Sequence, residues 1–236
     1  MLFRSVLMIV SGGFFSVSAT AVIFVTEPLW SSPEKLQSPS VDSSRLEAHT
    51  RKLAEDFRPR DWTHPENLDR AALYIRGEFE KAGAGVEEQV YAMEDRNYRN
   101  IVARFGPETK EAVVVGAHYD AFSTLPGADD NASGVAGLIE LARLLSHAPL
   151  QTRVELAAFT LEEPKTADGD GLFRSAFGGS RKHVEWVQQR GVHPRVFIDL
   201  EMIGYFSDEP GSQQYPSAIF RWIYPSRGDY VAIVGK

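Results

Sequence analysis

Imidazole and carboxylate groups recur where an apolar run gives way to a loop: His118 and Asp120, then Asp129, Asp130 and Asn131, then Glu162 and Glu163, then Glu201. The first two groups share one stretch, Val113 to Gly137 (VVVGAHYDAFSTLPGADDNASGVAG), which opens on apolar β-formers and ends in a helical pattern. Carboxylates crowded into one place repel one another and raise each other's pKa unless a cation neutralises them. The chain has no cysteine, so any metal is left to histidine and carboxylates, a donor set that suits zinc and also manganese or cobalt. These residues imply a metal site with more carboxylates than one ion needs.

Such a site needs elements that bring its parts together. Val113 to Ala117 reads as a buried strand, and the spacing of Val135, Leu138, Ile139, Leu141, Ala142 and Leu145 as a helix, with Asn131 or Ser133 as candidate caps. Arg153 to Thr160 is an apolar run ending at Glu162-Glu163-Pro164, and Val196 to Leu200 a further buried strand ending at Glu201. Before them lie amphipathic helices over Arg45–Phe57 and Asn67–Ala82, with Gly83 as a stop, and two strands, Gln89–Met93 and Tyr98–Phe105, joined by a polar turn. After them a helix runs from Ser180 to Arg190. Strands alternating with helices predict an α/β sandwich around a mostly parallel sheet. In such a sheet the C-terminal strand ends share one edge, where His118-Tyr119-Asp120, Glu162-Glu163 and Glu201 can meet the loop residues Asp129-Asp130-Asn131.

At 236 residues, 43% apolar and 24% charged, the chain can bury one sizeable core. Its net charge of -7 argues against nucleic acid as partner, and the acidic excess otherwise reads as a solvated surface. Residues Val6 to Val25 carry no charge, follow Arg4 and are long enough to span a bilayer. A signal peptide cut near Ala19-Thr20-Ala21 is the alternative; the apolar run continues past that site, which favours an uncleaved anchor. Residues 1–26 are thus expected to be a signal-anchor or signal peptide, 27–44 a Pro/Ser-rich linker, and 45–236 an exported domain.

The ordered motifs His-x-Asp, Gly-Ala-Asp-Asp-Asn-Ala-Ser-Gly, Glu-Glu-Pro and Leu-Glu-Met-Ile-Gly resemble the co-catalytic di-zinc aminopeptidase family, which also includes glutamate carboxypeptidase II and the glutaminyl cyclases. The resemblance runs from about Arg45 to the end. It implies a three-layer α/β/α sandwich on a mostly parallel mixed sheet, two zinc ions sharing a carboxylate, and hydrolysis of N-terminal residues from peptides. On the matching positions His118 is implied as a terminal zinc ligand, Asp120 as the carboxylate that fixes its imidazole, and Asp130 as the bridge, followed by a cis peptide bond. Asp129 is the weaker candidate for the bridge. Glu162 is implied as general base, Glu163 as ligand of the second zinc, and Glu201 as the ligand that is aspartate in many members; Asp199 competes with it.

One departure stands out. The family's second zinc takes a histidine from near the C-terminal end of the domain, and no histidine follows Glu201. His147, His183 and His193 read as surface or helix residues. The final run GDYVAIVGK reads as a strand cut off in progress, so the sequence resembles a C-terminally truncated member, expected to be weak or inactive as a peptidase. The rival expectations are a mono-zinc glutaminyl cyclase and a non-catalytic ectodomain of the same fold.

Overall fold

The computed structural model describes residues 40–215, 217–222 and 224–233. The expected anchor over residues 1–26, and the linker up to residue 39, lie outside the described residues. Among the described residues no helix is long and apolar enough to cross a membrane.

The larger of two compact units comprises, among the described residues, 40–206 and 231–233. It begins with α1 (Ser43–Arg51), capped by the Asp42 carboxylate accepting from Ser44 N at 2.9 Å and continued by a wider turn over Lys52–Asp56. Helix α2 (Pro65–Lys81) starts with proline in its first turn, where a missing N–H costs nothing. It stops just before Gly83, whose φ of +79° is the left-handed conformation glycine supplies. The strands are β1 (Gly85–Met93), β2 (Arg96–Phe105), β3 (Glu111–His118), β4 (Arg153–Phe159) and β5 (His193–Asp199), with α3 (Gly134–Leu145) between β3 and β4 and α4 (Gly179–Gln189) between β4 and β5.

The five strands form one sheet in the order β1-β2-β4-β3-β5. Only β2 runs against the others: it pairs antiparallel with β1 and β4, while β3 pairs parallel with β4 and β5. The expected open, mostly parallel α/β sheet is what forms. Alternation along the strands sends two sets of side chains to opposite faces. Ile101, Ala103, Val115, Ala117, Leu156 and Ala158 pack with Leu68, Ile75, Phe79, Val135 and Leu138 of α2 and α3. Val102, Val114, Ala157 and Phe159 form the other face, where the Phe159 ring lies 5.5 Å from the ring of His183 on α4. Helices on both faces make the three layers.

Three sequence expectations are corrected. Strand β5 is not buried: Val196, Phe197 and Ile198 stay 47%, 46% and 45% exposed, because β5 is an edge strand paired with β3 alone. His183 is on a helix as expected but is 2% exposed, in a polar network with Gln89 and Asn100 under the sheet. The run from Gly228 forms no strand over its described part, its one ladder contact being the bridge of Gly228 to Ser207. Helix α1 itself begins at Ser43, two residues before the helix expected from Arg45.

A buried carboxylate ties α1 to α3. Glu140 accepts from Arg45 Nε at 3.0 Å and Nη2 at 2.9 Å, and from Arg143 Nη2 at 2.8 Å. These guanidinium groups hold its carboxyl down at about 2, from an ordinary 4.5. A depressed folded-state pKa stabilises above the unfolded value and is lost as the pH falls through the folded one. Glu140→Gln is therefore expected to cost about 1–2 kcal/mol at neutral pH, discounted because both arginines are partly exposed. That cost should shrink steadily as the pH drops from 4.5 toward 2. Urea unfolding of both proteins across that range checks it; a pH-independent difference would remove the ion pairs as its cause.

The smaller unit, of which residues 207–215, 217–222 and 224–230 are described, holds a single-turn helix (Ala218–Trp222) and a ring cluster of Tyr215, Phe220 and Tyr224.

Candidate metal centre

Strands β3 and β4 are parallel neighbours, with His118 opposite Phe159, so the loops that follow them leave from the same edge. The His118 ring is buried, and its Nε2 faces Asp130 Oδ1 at 3.0 Å and Glu201 Oε1 at 3.6 Å. One ligand atom from each of His118, Asp130 and Glu201 lies within 4.8 Å of the others, a cluster able to hold a metal ion. The ring's other nitrogen, Nδ1, faces Asp120 Oδ1 at 3.4 Å. Although burial works against it, the carboxylates of Asp120, Asp130 and Glu201 hold the His118 pKa well above its ordinary 6.5. Two carboxylates thus converge on Nε2 of one buried imidazole, and a divalent cation bound through the neutral ring and those carboxylates would balance their charge. The donors present fit zinc.

Local sequence explains how each group arrives. The peptide bond Asp130–Asn131 is cis, as the motif resemblance implies. Asn131 Nδ2 donates to Leu200 O at 2.8 Å and to Glu201 Oε2 at 3.1 Å, which aims the Glu201 carboxylate, while its Oδ1 caps α3 through Gly134 N at 3.1 Å. Gly134 is required there: a Cβ would come within 2.4 Å of Leu200 O. Asp129 turns away from the cluster to accept from Gly204 N at 2.8 Å, a loop hydrogen bond and not a ligand position. Asp199 also lies outside the cluster.

Asp120 reaches across to the end of β4. Its Oδ2 accepts from Glu162 N at 2.9 Å and Glu163 N at 3.0 Å. Leu161, just before them, holds φ at +60°, and Met202, just after Glu201, holds +49°; non-glycine residues in this region cluster at functional sites. Both glutamates are half-buried, and burial raises each carboxyl to about 7. After burial, the charge that does most to raise the Glu163 carboxyl is Asp130, while His118 pulls that of Glu162 the other way. Glu163 is not one of the clustered ligands, so of the six expected site residues the structure brings His118, Asp130 and Glu201 together, with Asp120 behind the ring and Glu162 and Glu163 alongside.

Sequence reasoning overlooked Arg60, whose buried guanidinium sits under the loop between Asp120 and Asp130. A single arginine in a polar segment carries no periodic signal that would have found it.

Comparison with known proteins places this geometry. A sequence model of peptidase family M28 matches residues 100–223, more than half of the chain. The uncharacterized protein YfbL of Escherichia coli (strain K12) is 42% identical over 200 residues, which cover 81% of this chain and 59% of YfbL. Leucine aminopeptidase 2 of Trichophyton equinum is 31% identical over 117 residues, 49% of this chain and 21% of that protein. Among solved structures, glutaminyl cyclase of Bacteroides thetaiotaomicron superposes with a TM-score of 0.59 at 24% identity, over 73% of this chain and 65% of that one, a likeness of fold. The chain therefore spans a little over half of YfbL's length and about a fifth of the aminopeptidase's.

Proposed function

The chain belongs to peptidase family M28, and from that membership and the geometry above we propose that it is a zinc-dependent exopeptidase acting on the N-terminal residue of peptides. The observation that carries this reading is the convergence of His118, Asp130 and Glu201 within 4.8 Å, with two half-buried glutamates beside them. His118, Asp130 and Glu201 would hold one zinc, and Asp130 with Glu163 would offer carboxylates to a second. Bound there, zinc supplies Lewis-acid polarisation of a peptide carbonyl and lowers the pKa of water.

The chain's own residues do the rest. Asp120 steadies the His118 ring through Nδ1 and pins the amides of Glu162 and Glu163. Glu162, held near 7 by its burial, is poised to take a proton from the attacking water and return it to the leaving amine nitrogen. Glu163 and Asp130 supply negative charge beside the cluster for a substrate's free α-ammonium group. Export through the N-terminal apolar segment belongs to the same reading.

The test is zinc-dependent release of the first residue from leucyl-anilide and short peptides, lost on chelation and restored by zinc. Failure of the full chain to take up zinc would overturn the reading. Conversion of N-terminal glutaminyl peptides to pyroglutamyl peptides, without release of amino acids, would move the assignment to glutaminyl cyclase chemistry.

A further inference from the structure

We propose that Arg60 is a positioning residue for the metal site: its guanidinium gathers the carbonyls that fix the chain between Asp120 and Asp130, and so sets where Asp130 stands relative to His118. The inference rests on the zinc reading above.

Arg60 is fully buried, and its four hydrogen-bond acceptors are all backbone carbonyls. Nε donates to Tyr119 O at 2.9 Å, Nη1 to Pro126 O at 3.0 Å and to Leu53 O, and Nη2 to Gly127 O at 3.0 Å. Tyr119 lies between His118 and Asp120, and Gly127 is three residues before Asp130. One planar group thus spans both ends of the loop that separates the ligands. The residue's own carbonyl adds a further grip, accepting from Ala121 N at 2.8 Å. Next door, Arg58 Nε reaches Thr124 O at 2.5 Å.

The connection to Asp130 is short. Gly127 O accepts both Arg60 Nη2 and, at 3.0 Å, the N–H of Ala132, so the guanidinium is one carbonyl away from the turn that carries Asp130 and Asn131. Gly127 leaves no slack: its φ is +56°, and a Cβ there would lie 2.5 Å from Asp130 O and 3.0 Å from Arg60 Nη2. Burial depresses the Arg60 pKa to about 10, with Asp120 opposing, so the group stays charged at neutral pH. A buried cation with no carboxylate bonded to it is costly, and packing alone would be served better by an apolar side chain. A fixed fork of donors is what several separated carbonyls require, and lysine's single point of charge cannot imitate it.

The experiment measures zinc affinity by chelator competition on the full chain, comparing wild type with Arg60→Lys and Arg60→Met, each beside its metal-free thermal midpoint. Arg153→Met serves as control, since Arg153 is also buried but pairs with Glu155. Arg60→Lys is expected to weaken zinc binding about 10- to 100-fold, the range seen when groups supporting metal ligands are removed. The control should lower the midpoint and leave zinc affinity unchanged. Wild-type affinity in folded Arg60→Lys would overturn the proposal, because a merely structural role moves only the midpoint. Should neither Arg60 variant fold, the Arg60 Nε–H resonance of the wild type decides: zinc loading should shift it and slow its exchange, and an unchanged signal overturns the proposal. A wild type that takes up no zinc at all instead sinks the function reading beneath it.

Discussion

Asp130→Ala is expected to strip zinc from the protein. Its carboxylate stands 3.0 Å from His118 Nε2 and belongs to the one three-residue cluster that could hold a metal among the described residues. After burial, its negative charge does most to raise the Glu163 carboxyl. Removing a group that merely supports a ligand costs about 10–100-fold in metal affinity, and removing a ligand should exceed that range. Metal content after desalting, with chelator competition, measures the loss. Asp129→Ala is the matched control: its carboxylate is spent on Gly204 N, so it should keep zinc while loosening the segment after Glu201. Equal zinc loss from the two variants would mean that the loop, and not Asp130 as a ligand, is what matters.

Glu162→Gln is expected to lower zinc-dependent release of leucine from its anilide by about 10²–10⁴-fold, the usual contribution of a positioned general base. Glutamine keeps the size and loses the proton acceptor. Zinc content should stay at the wild-type level, because Glu162 is not one of the clustered ligands. The backbone should hold too, since Asp120 grips the amide of residue 162 and not its side chain. Retained turnover at full zinc occupancy would reassign the proton transfer, with Glu163 next in line because its carboxyl is raised to about 7 as well.

Much of this was readable from residue order. Apolar runs of strand length placed β3 and β4 within a residue or two, because buried strands are set by local pattern. The motif resemblance pointed to Asp130 before Asp129, and it is Asp130 that lies in the cluster; of the two candidate caps, Asn131 and Ser133, the side chain that bonds the first turn of α3 is that of Asn131. What escaped notice depends on contacts between distant segments. Arg60 lies 59 residues from the Tyr119 carbonyl it binds. His183 meets Gln89 across 94 residues, and nothing in a helix pattern announces a buried imidazole. The exposure of β5 was illegible for a related reason: an apolar run signals a strand, but whether neighbours cover it is decided elsewhere in the chain.

The hydrogen bonds of Asp120 across the sheet edge bear on how such a site could be transplanted or inherited. The group that backs the imidazole is also the one that seats both glutamates, and it does so only because β3 and β4 are parallel neighbours with His118 level with Phe159. A slip of one residue between those strands would turn a whole set of side chains to the opposite face. A designer grafting this chemistry onto another sheet would therefore have to copy a strand pair and its alignment, not a list of side chains. By the same logic, lineages that drift at either strand end would have to change both together.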